Sequence, residues 1–390
     1  MKIEIKFNRN IMKKLAIVLA LVSTFATAQT VLPMKDGQFF MPDEWLMSTG
    51  QPYHYKIPAS NNGTVISNRE PSNSEKAVIE RANSYLDKSA SKVILLGDGK
   101  KVVHVNFKSP ANESKLYLSA SIDKTVTALS AGVAVCDGKI SLTTKAEDLI
   151  PNLKGTDLGR STLEDNLKMA SGTATAMDDS QSETPAELAS RMSGKTNFMD
   201  ILSGRLGKAR TTVFGKKIQP GEVFDYKSQD PLLVGMMVSA AYGREAKHFR
   251  EWQEKNFWPK VGVNDRIIQG QDQSGYAQSD GNTRLTIADW ARFANFVLDS
   301  RKETGCYGDF VRSAIKTQIK TDNRFAKMYN GYGYFTWTEN TQLPNSFTAL
   351  GYGGQSITWN TKNDKYVIIF SNQGDLPAMH KITEAWFNSR

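Results

Sequence analysis

Between Leu118 and Lys139 the chain carries a run of residues that leaves little freedom in how it can fold. Small and apolar side chains recur at Val126, Leu129, Ala131, Val133 and Val135, and Asp137-Gly138 supplies a stop. That spacing predicts a buried helix around which the rest of the chain is organised. Ser121 and Lys124 stand at its start, three residues apart, hence on one face and within side-chain reach. A serine hydroxyl is a weak nucleophile until a base takes its proton. A neutral lysine can be that base, and the positive end of a helix disfavours a second positive charge. An ordinary helix-capping serine would look the same, so at this level both readings stand.

The same four-residue spacing recurs at Ser89/Lys92 and Ser313/Lys316. The first lies in a polar connection before the strand-like Lys92 to Leu96, the second on a helix rich in Lys and Arg. Only Ser121/Lys124 opens a helix whose remainder is small and apolar. Other nucleophile machinery is not indicated: there is no Gly-x-Ser-x-Gly elbow, and His54, His104, His248 and His380 are scattered without metal-ligand spacing. No metal and no cofactor is therefore expected. A nucleophilic serine in this chain would use lysine and tyrosine.

The N-terminus reads as an export signal. Lys2, Lys6, Arg9, Lys13 and Lys14 precede the apolar run Leu15 to Val22, then Ala26-Thr27-Ala28, an Ala-x-Ala cleavage site. Eight apolar residues are too few to span a bilayer, which takes about 20. Cleavage after Ala28 would leave a periplasmic or secreted chain with no stable membrane anchor, carrying 44 Lys and Arg against 39 Asp and Glu. That modest excess, without a basic stripe interleaved with aromatics, gives no reason to expect a nucleic-acid partner. Two cysteines cannot make a disulfide framework. Cys136 falls in the central helix as a small core residue, and one bridge to Cys306 stays open.

In chain order, residues 29–72 read as irregular, Ser74 to Lys88 as an amphipathic helix, and Val93–Leu96 with Val102–Phe107 as a hairpin. From Ser119 to about Lys320 the pattern is mainly helical, with Ser161 to Glu164 and Thr286 to Asp289 as helix caps. Strands return at Tyr332–Trp337, Phe347–Leu350, Ser356–Asn360 and Tyr366–Ser371, and Ala378 to Phe387 closes as a helix. The expected architecture is α/β of the α+β kind: an antiparallel sheet built from both chain ends and flanked by helices, with a mostly helical domain inserted. The expected divisions are 1–28 as signal peptide, 29–118 plus 327–390 as the sheet domain, and 119–326 as the helical domain.

Two further stretches carry chemistry. Tyr226 follows a Pro220-Gly221 turn and precedes Ser228 and Asp230, with a helix from Leu232. Gly351-Tyr352-Gly353-Gly354-Gln355-Ser356 stands at a strand start, either a glycine-rich turn or an edge where a substrate carbonyl can approach backbone N–H groups. The order Ser-x-x-Lys, Tyr-x-Ser, glycine-rich strand resembles the class C β-lactamase and D,D-peptidase superfamily of serine hydrolases. Connecting segments extend the resemblance over residues 74–390: Gly132 to Ile140, Leu149 to Gly155, Leu167 to Gly172 and Leu285 to Phe293. Tyr226-Lys227-Ser228-Gln229-Asp230 and Gly-Tyr-Gly-Gly-Gln look most like its 6-aminohexanoate-dimer hydrolase branch.

The resemblance implies the β-lactamase/transpeptidase-like fold and a set of roles. Ser121 would attack an ester or small amide carbonyl, and Lys124 and Tyr226 would share the proton traffic, the base being either one. Ser228 would bridge Lys124 and the substrate in place of a more frequent asparagine. The oxyanion would lie between the N–H of Ser121 and one on the 351–356 strand, Gly354 being favoured and Tyr352 two residues away the other choice, with Gly353 and Gln355 beside the substrate. Two departures matter. Thr173 to Glu183 carries no tyrosine that could serve as the lid seen in the dimer-hydrolase branch. Gly351-Tyr352-Gly353 stands where β-lactamases carry Lys-Thr-Gly. The expected partner is a small ester or amide. Competing readings are a β-lactamase or D-stereospecific peptidase acting on cell-wall chemistry, and a catalytically silent ligand-binding member.

Overall fold

A computed structural model of the chain describes residues 34–35, 38–47, 52–174, 183–212, 214–321 and 327–390. The signal-peptide stretch 1–28 and residues 175–182, most of the segment lacking a lid tyrosine, lie outside them. The first part runs through β1 (His54–Ile57), β2 (Ser67–Asn68), α1 (Asn73–Lys88), β3 (Ser91–Asp98), β4 (Lys101–Phe107), β5 (Tyr117–Leu118) and α2 (Ile122–Cys136). The middle holds α3 (Pro185–Met192), α4 (Gln229–Ala241), α5 (Phe249–Asn256), β6 (Ile267–Gly270), β7 (Thr283–Leu285), α6 (Ile287–Ser300) and α7 (Cys306–Ala314), with shorter helical turns between. The last part is β8 (Ile319–Lys320), β9 (Tyr329–Tyr332), β10 (Trp337–Asn340), β11 (Ser346–Gly351), β12 (Gln355–Asn360), β13 (Lys365–Ser371) and α8 (Leu376–Asn388).

The two chain ends meet in one sheet of order β8-β9-β10-β11-β12-β13-β3-β4-β2, antiparallel except where β2 joins β4. Its seam is the pairing of β13 with β3, from Lys365 opposite Asp98 to Ser371 opposite Ser91. Successive side chains of a strand point to opposite faces, and here both faces are covered. Val93, Leu95, Ile368 and Phe370 enter the large core around α2, while Ile94, Leu96, Val367 and Ile369 meet α1 and α8 through Val78, Ala82, Leu86, Ile382 and Trp386. The unbroken apolar run Val93-Ile94-Leu95-Leu96 follows from that double burial. Trp386 also donates its indole N–H to the Gly97 carbonyl at 3.0 Å.

Helix α2 is buried along its length from Ile122 to Ala134. Helices α4 and α7 pack against it. At Gly132 there is no room for a Cβ because the Phe310 ring of α7 lies against the backbone. Cys136, at the end of α2, is bonded to Cys306, which opens α7. The pairing left open by the sequence is thus made.

Three local expectations need correcting. Tyr332–Trp337 is a bend between β9 and β10 and not a strand: Phe335 takes a left-handed φ of 49° and Gly333 donates its N–H to the Thr336 carbonyl. The cap expected at Ser161 and Glu164 is made one residue later, by Thr162 and Asp165. The mainly helical middle also contributes β6 and β7 to a four-stranded sheet, β1-β6-β7-β5, which carries the chain into the N-terminus of α2.

Candidate active site

Strand β5 delivers the chain to α2 through Ala120, whose φ of 42° is left-handed and strained for a residue with a Cβ. That bend leaves Ser121 at the N-cap position with helical φ and ψ and no capping hydrogen bond from its side chain. Its hydroxyl is engaged elsewhere. Lys124 Nζ donates to Ser121 Oγ at 3.0 Å and to the Asp280 carbonyl at 2.7 Å. The Tyr226 side chain is hydrogen-bonded to Ser121 as well. The capping reading of Ser121 therefore falls. By contrast, Ser89 caps the end of α1 while Lys92 reaches Asp43, and Ser313 lies on α7 with Lys316 beyond its end.

Lys124 is only 3 % exposed. Burial lowers its pKa to about 8, against the pull of the Asp280 carboxylate. Tyr226 moves the other way: burial pushes its phenol well above the ordinary value, with the hydrogen bond to Ser121 opposing. Its ring stacks on Trp337 at 5.3 Å and stands edge-on to Tyr332, and Lys124 Nζ lies 5.1 Å from its centroid. The loop that carries it is tied down by its neighbours. Lys227 is buried between Asp225 and Asp230, 3.9 Å from each, and Asp230 accepts the Ser171 hydroxyl at 2.6 Å. Burial pushes the Asp230 carboxyl up to about 6.

Ser228 does not hold Lys124 as expected. It stands beside the Asp280 carboxylate and helps keep it ionised, and Lys124 touches Asp280 through the main-chain carbonyl instead. Asp280 was not anticipated, nor was Arg191, whose Nη1 donates to Asp280 Oδ2 at 2.6 Å. Asp123 was also missed. It accepts from Arg250, the Asn282 N–H and the Thr283 hydroxyl, fastening residues 282–283 beside the first turn of α2. A Ser-Asp-Gly-Asn run such as 279–282 reads in sequence as a turn, and nothing in it signals that its aspartate is buried against a lysine 156 positions earlier.

The glycine-rich stretch also differs from the expectation. Residues 352–354 form a tight turn, not strand, between β11 and β12, whose last pair is Gly351 with Gln355. Gly353 and Gly354 have φ of 75° and 88°, and Gly354 packs its backbone against Gly374, directed at the β13–α8 connection. Gln355 is fully buried. Its amide donates to the Tyr352 and Ser371 carbonyls and accepts the Ser371 N–H, so it braces the turn. The backbone of Gly351 lies against the residues that lead into Ser121: a Cβ there would lie 2.7 Å from the Ser119 carbonyl oxygen and 3.0 Å from Ala120 Cβ. The next N–H along the chain is that of Tyr352. A two-residue slip along a strand cannot relate Tyr352 to Gly354 once the segment is a turn.

The arrangement is a hydroxyl held by a buried, weakly basic lysine and a neutral phenol, which is what acyl transfer through a serine requires. The fold is similar to that of a protein from Bacillus anthracis provisionally described as a 6-aminohexanoate-dimer hydrolase, at 18% identity over 86% of this chain and 89% of that one, TM-score 0.67. A penicillin binding protein from Bacillus halodurans is similar at 15% identity over 80% and 99%, TM-score 0.59. So is a beta-lactamase/D-alanine carboxypeptidase from Pseudomonas syringae, at 13% over 81% and 99%, TM-score 0.57. No curated protein matches the chain by sequence. The family model described as Beta-lactamase matches residues 88–386, and with a match over most of its length the chain belongs to that family of serine-hydrolase fold.

Proposed function

We propose that the chain is an exported serine hydrolase that cleaves esters or small amides through an acyl-enzyme on Ser121. The observation that carries this reading is the 3.0 Å hydrogen bond from Lys124 to Ser121 Oγ, made by a lysine whose pKa burial has brought to about 8. Neutral Lys124 takes the Ser121 proton as Oγ attacks the carbonyl. Tyr226, a neutral phenol hydrogen-bonded to the same oxygen, passes its proton to the leaving group and takes one back from the Lys124 ammonium, so both groups return to their starting forms. Water then repeats the sequence on the acyl-enzyme. Among the described residues no acceptor takes the Ser121 N–H, and that group with the Tyr352 N–H is the pair we assign to the developing oxyanion.

Export is supported by the basic and apolar N-terminus, Ala26-Thr27-Ala28, and the Cys136–Cys306 bond, which an oxidising compartment preserves. The β-lactamase and D-peptidase alternative draws on the described activities of the relatives. Against it stands Gly351, which offers no cation to a substrate carboxylate. A fluorophosphonate probe followed by mass spectrometry tests the whole reading: an adduct on Ser121, with turnover of p-nitrophenyl esters, is expected. No adduct, or one on another serine, overturns it. Sequencing the N-terminus of periplasmic or secreted protein, with Gln29 expected, tests export separately.

A further inference from the structure

Arg191 is 4 % exposed and bound on both sides by carboxylates. Its Nε and Nη2 donate to Glu183 at 2.8 and 3.2 Å, and its Nη1 to Asp280 Oδ2 at 2.6 Å. The Glu183 and Asp280 side chains are as buried as the arginine. Asp280 Oδ1 has no hydrogen-bond partner. The backbone of this same Asp280 receives Lys124 Nζ, so the chain of contacts runs from Glu183 through Arg191 and Asp280 to Lys124 and Ser121. Burying such a group of charges is costly, and apolar packing of similar volume would hold a loop as well. A structural role alone leaves that cost without a return.

We propose that Arg191 is an electrostatic positioning residue for Lys124: by pairing the Asp280 carboxylate it keeps that negative charge from holding the lysine in its charged form. The inference rests on the assignment of Lys124 as the base. The other groups around Lys124 do not do this work. Asp123 on the same helix is taken up by Arg250 of α5, Tyr226 and Ser121 are neutral, Ser228 faces Asp280, and Glu183 is engaged by Arg191 itself. Asp280 raises and Arg191 lowers the lysine's pKa, as the pairing requires.

The test is the pH profile of kcat/KM for a neutral p-nitrophenyl ester. An unpaired carboxylate beside a lysine raises its pKa by about 1–3 units. Arg191→Gln is therefore expected to displace the limb upward from about 8 by at least about one unit, with activity at pH 7 reduced about tenfold or more and recovered at high pH. Arg191→Lys should restore most of the profile, and adding Asp280→Asn to Arg191→Gln should bring the limb back down. A uniform loss at every pH, or a limb that stays in place, overturns the proposal. If Arg191→Gln does not fold, Asp280→Asn alone decides: a limb displaced downward supports the proposal, and an unmoved one overturns it. A wild-type profile with no limb near 8 overturns the assignment of Lys124 as base and this proposal with it, whereas a limb present but insensitive to these variants overturns only the latter.

Discussion

At the scale of single residues, the proposed mechanism divides one proton-transfer task between two groups whose pKa values burial moves in opposite directions. A base works only when deprotonated, so with Lys124 near 8 the value of kcat/KM for a neutral ester should rise with pH through about 8 and level off above it. Tyr226→Phe should lower the plateau by about 10²-fold or more, the usual range for a proton donor, and leave the limb where it is. Loss of the limb in that variant would make the tyrosine the base. Ser121→Ala should remove turnover by several orders of magnitude without unfolding the protein, as judged by its melting curve. The proposed preference for uncharged esters also turns on one residue, Gly351. A β-lactam presents a carboxylate near the reacting carbonyl, and losing a charge-assisted contact to it costs about 1.5–3 kcal/mol. Nitrocefin should then be hydrolysed with kcat/KM at least about tenfold below p-nitrophenyl butyrate. A lysine cannot simply be restored at Gly351, because its Cβ would press on the Ser119 carbonyl and Ala120. The residue before the nucleophile and the missing cation are two sides of one packing contact.

At the scale of elements, legibility followed the range of the contact involved. Ser121 and Lys124 share a helical turn, so their spacing in sequence already fixes their proximity. Helix α6 was readable from Thr286 and Asp289 because a cap is a local bond. The bend at Phe335 was not: alternating aromatics imitate a strand, and what turns the chain is the approach of Gly333 to the Ala314 carbonyl on α7. Arg191 and Asp280 were invisible for the same reason, being neighbours only after α3 and the 278–282 segment have met. The disulfide belongs to this scale too. It ties the last turn of α2 to α7 and closes a loop of 170 residues, for which the chain-entropy limit is about 5 kcal/mol. Replacing both cysteines by serine should cost about 2–5 kcal/mol in thermal or denaturant unfolding. Ester turnover should persist below the lowered melting temperature, since Ser121 lies about 22 Å away at the other end of a 15-residue helix. Lost activity in a folded variant would show that the far end of α2 communicates with the near one.

At the scale of the whole molecule, the antiparallel sheet made from both chain ends was legible because strands flanked a helical stretch at either side. The small sheet β1-β6-β7-β5 was not, its strands being short and scattered. Helix α8 covers one face of the main sheet, and its Trp386 is buried over the β3–β13 seam. Trp386→Ala should cost about 3–5 kcal/mol, measurable as a reduced denaturant midpoint. An unchanged midpoint would mean that the helix is dispensable to the sheet. That seam has a further consequence for how the protein comes into being. Ser91 and Ser371 are neighbours across it although 280 residues separate them. While the ribosome is still at work, β3 has β4 beside it on one edge, but its other edge is open and α2 lacks the rest of the sheet it packs on. Pairings of such long reach form slowly. The sheet can therefore close only after β13 has been made, so the order of synthesis leaves its central seam until the end.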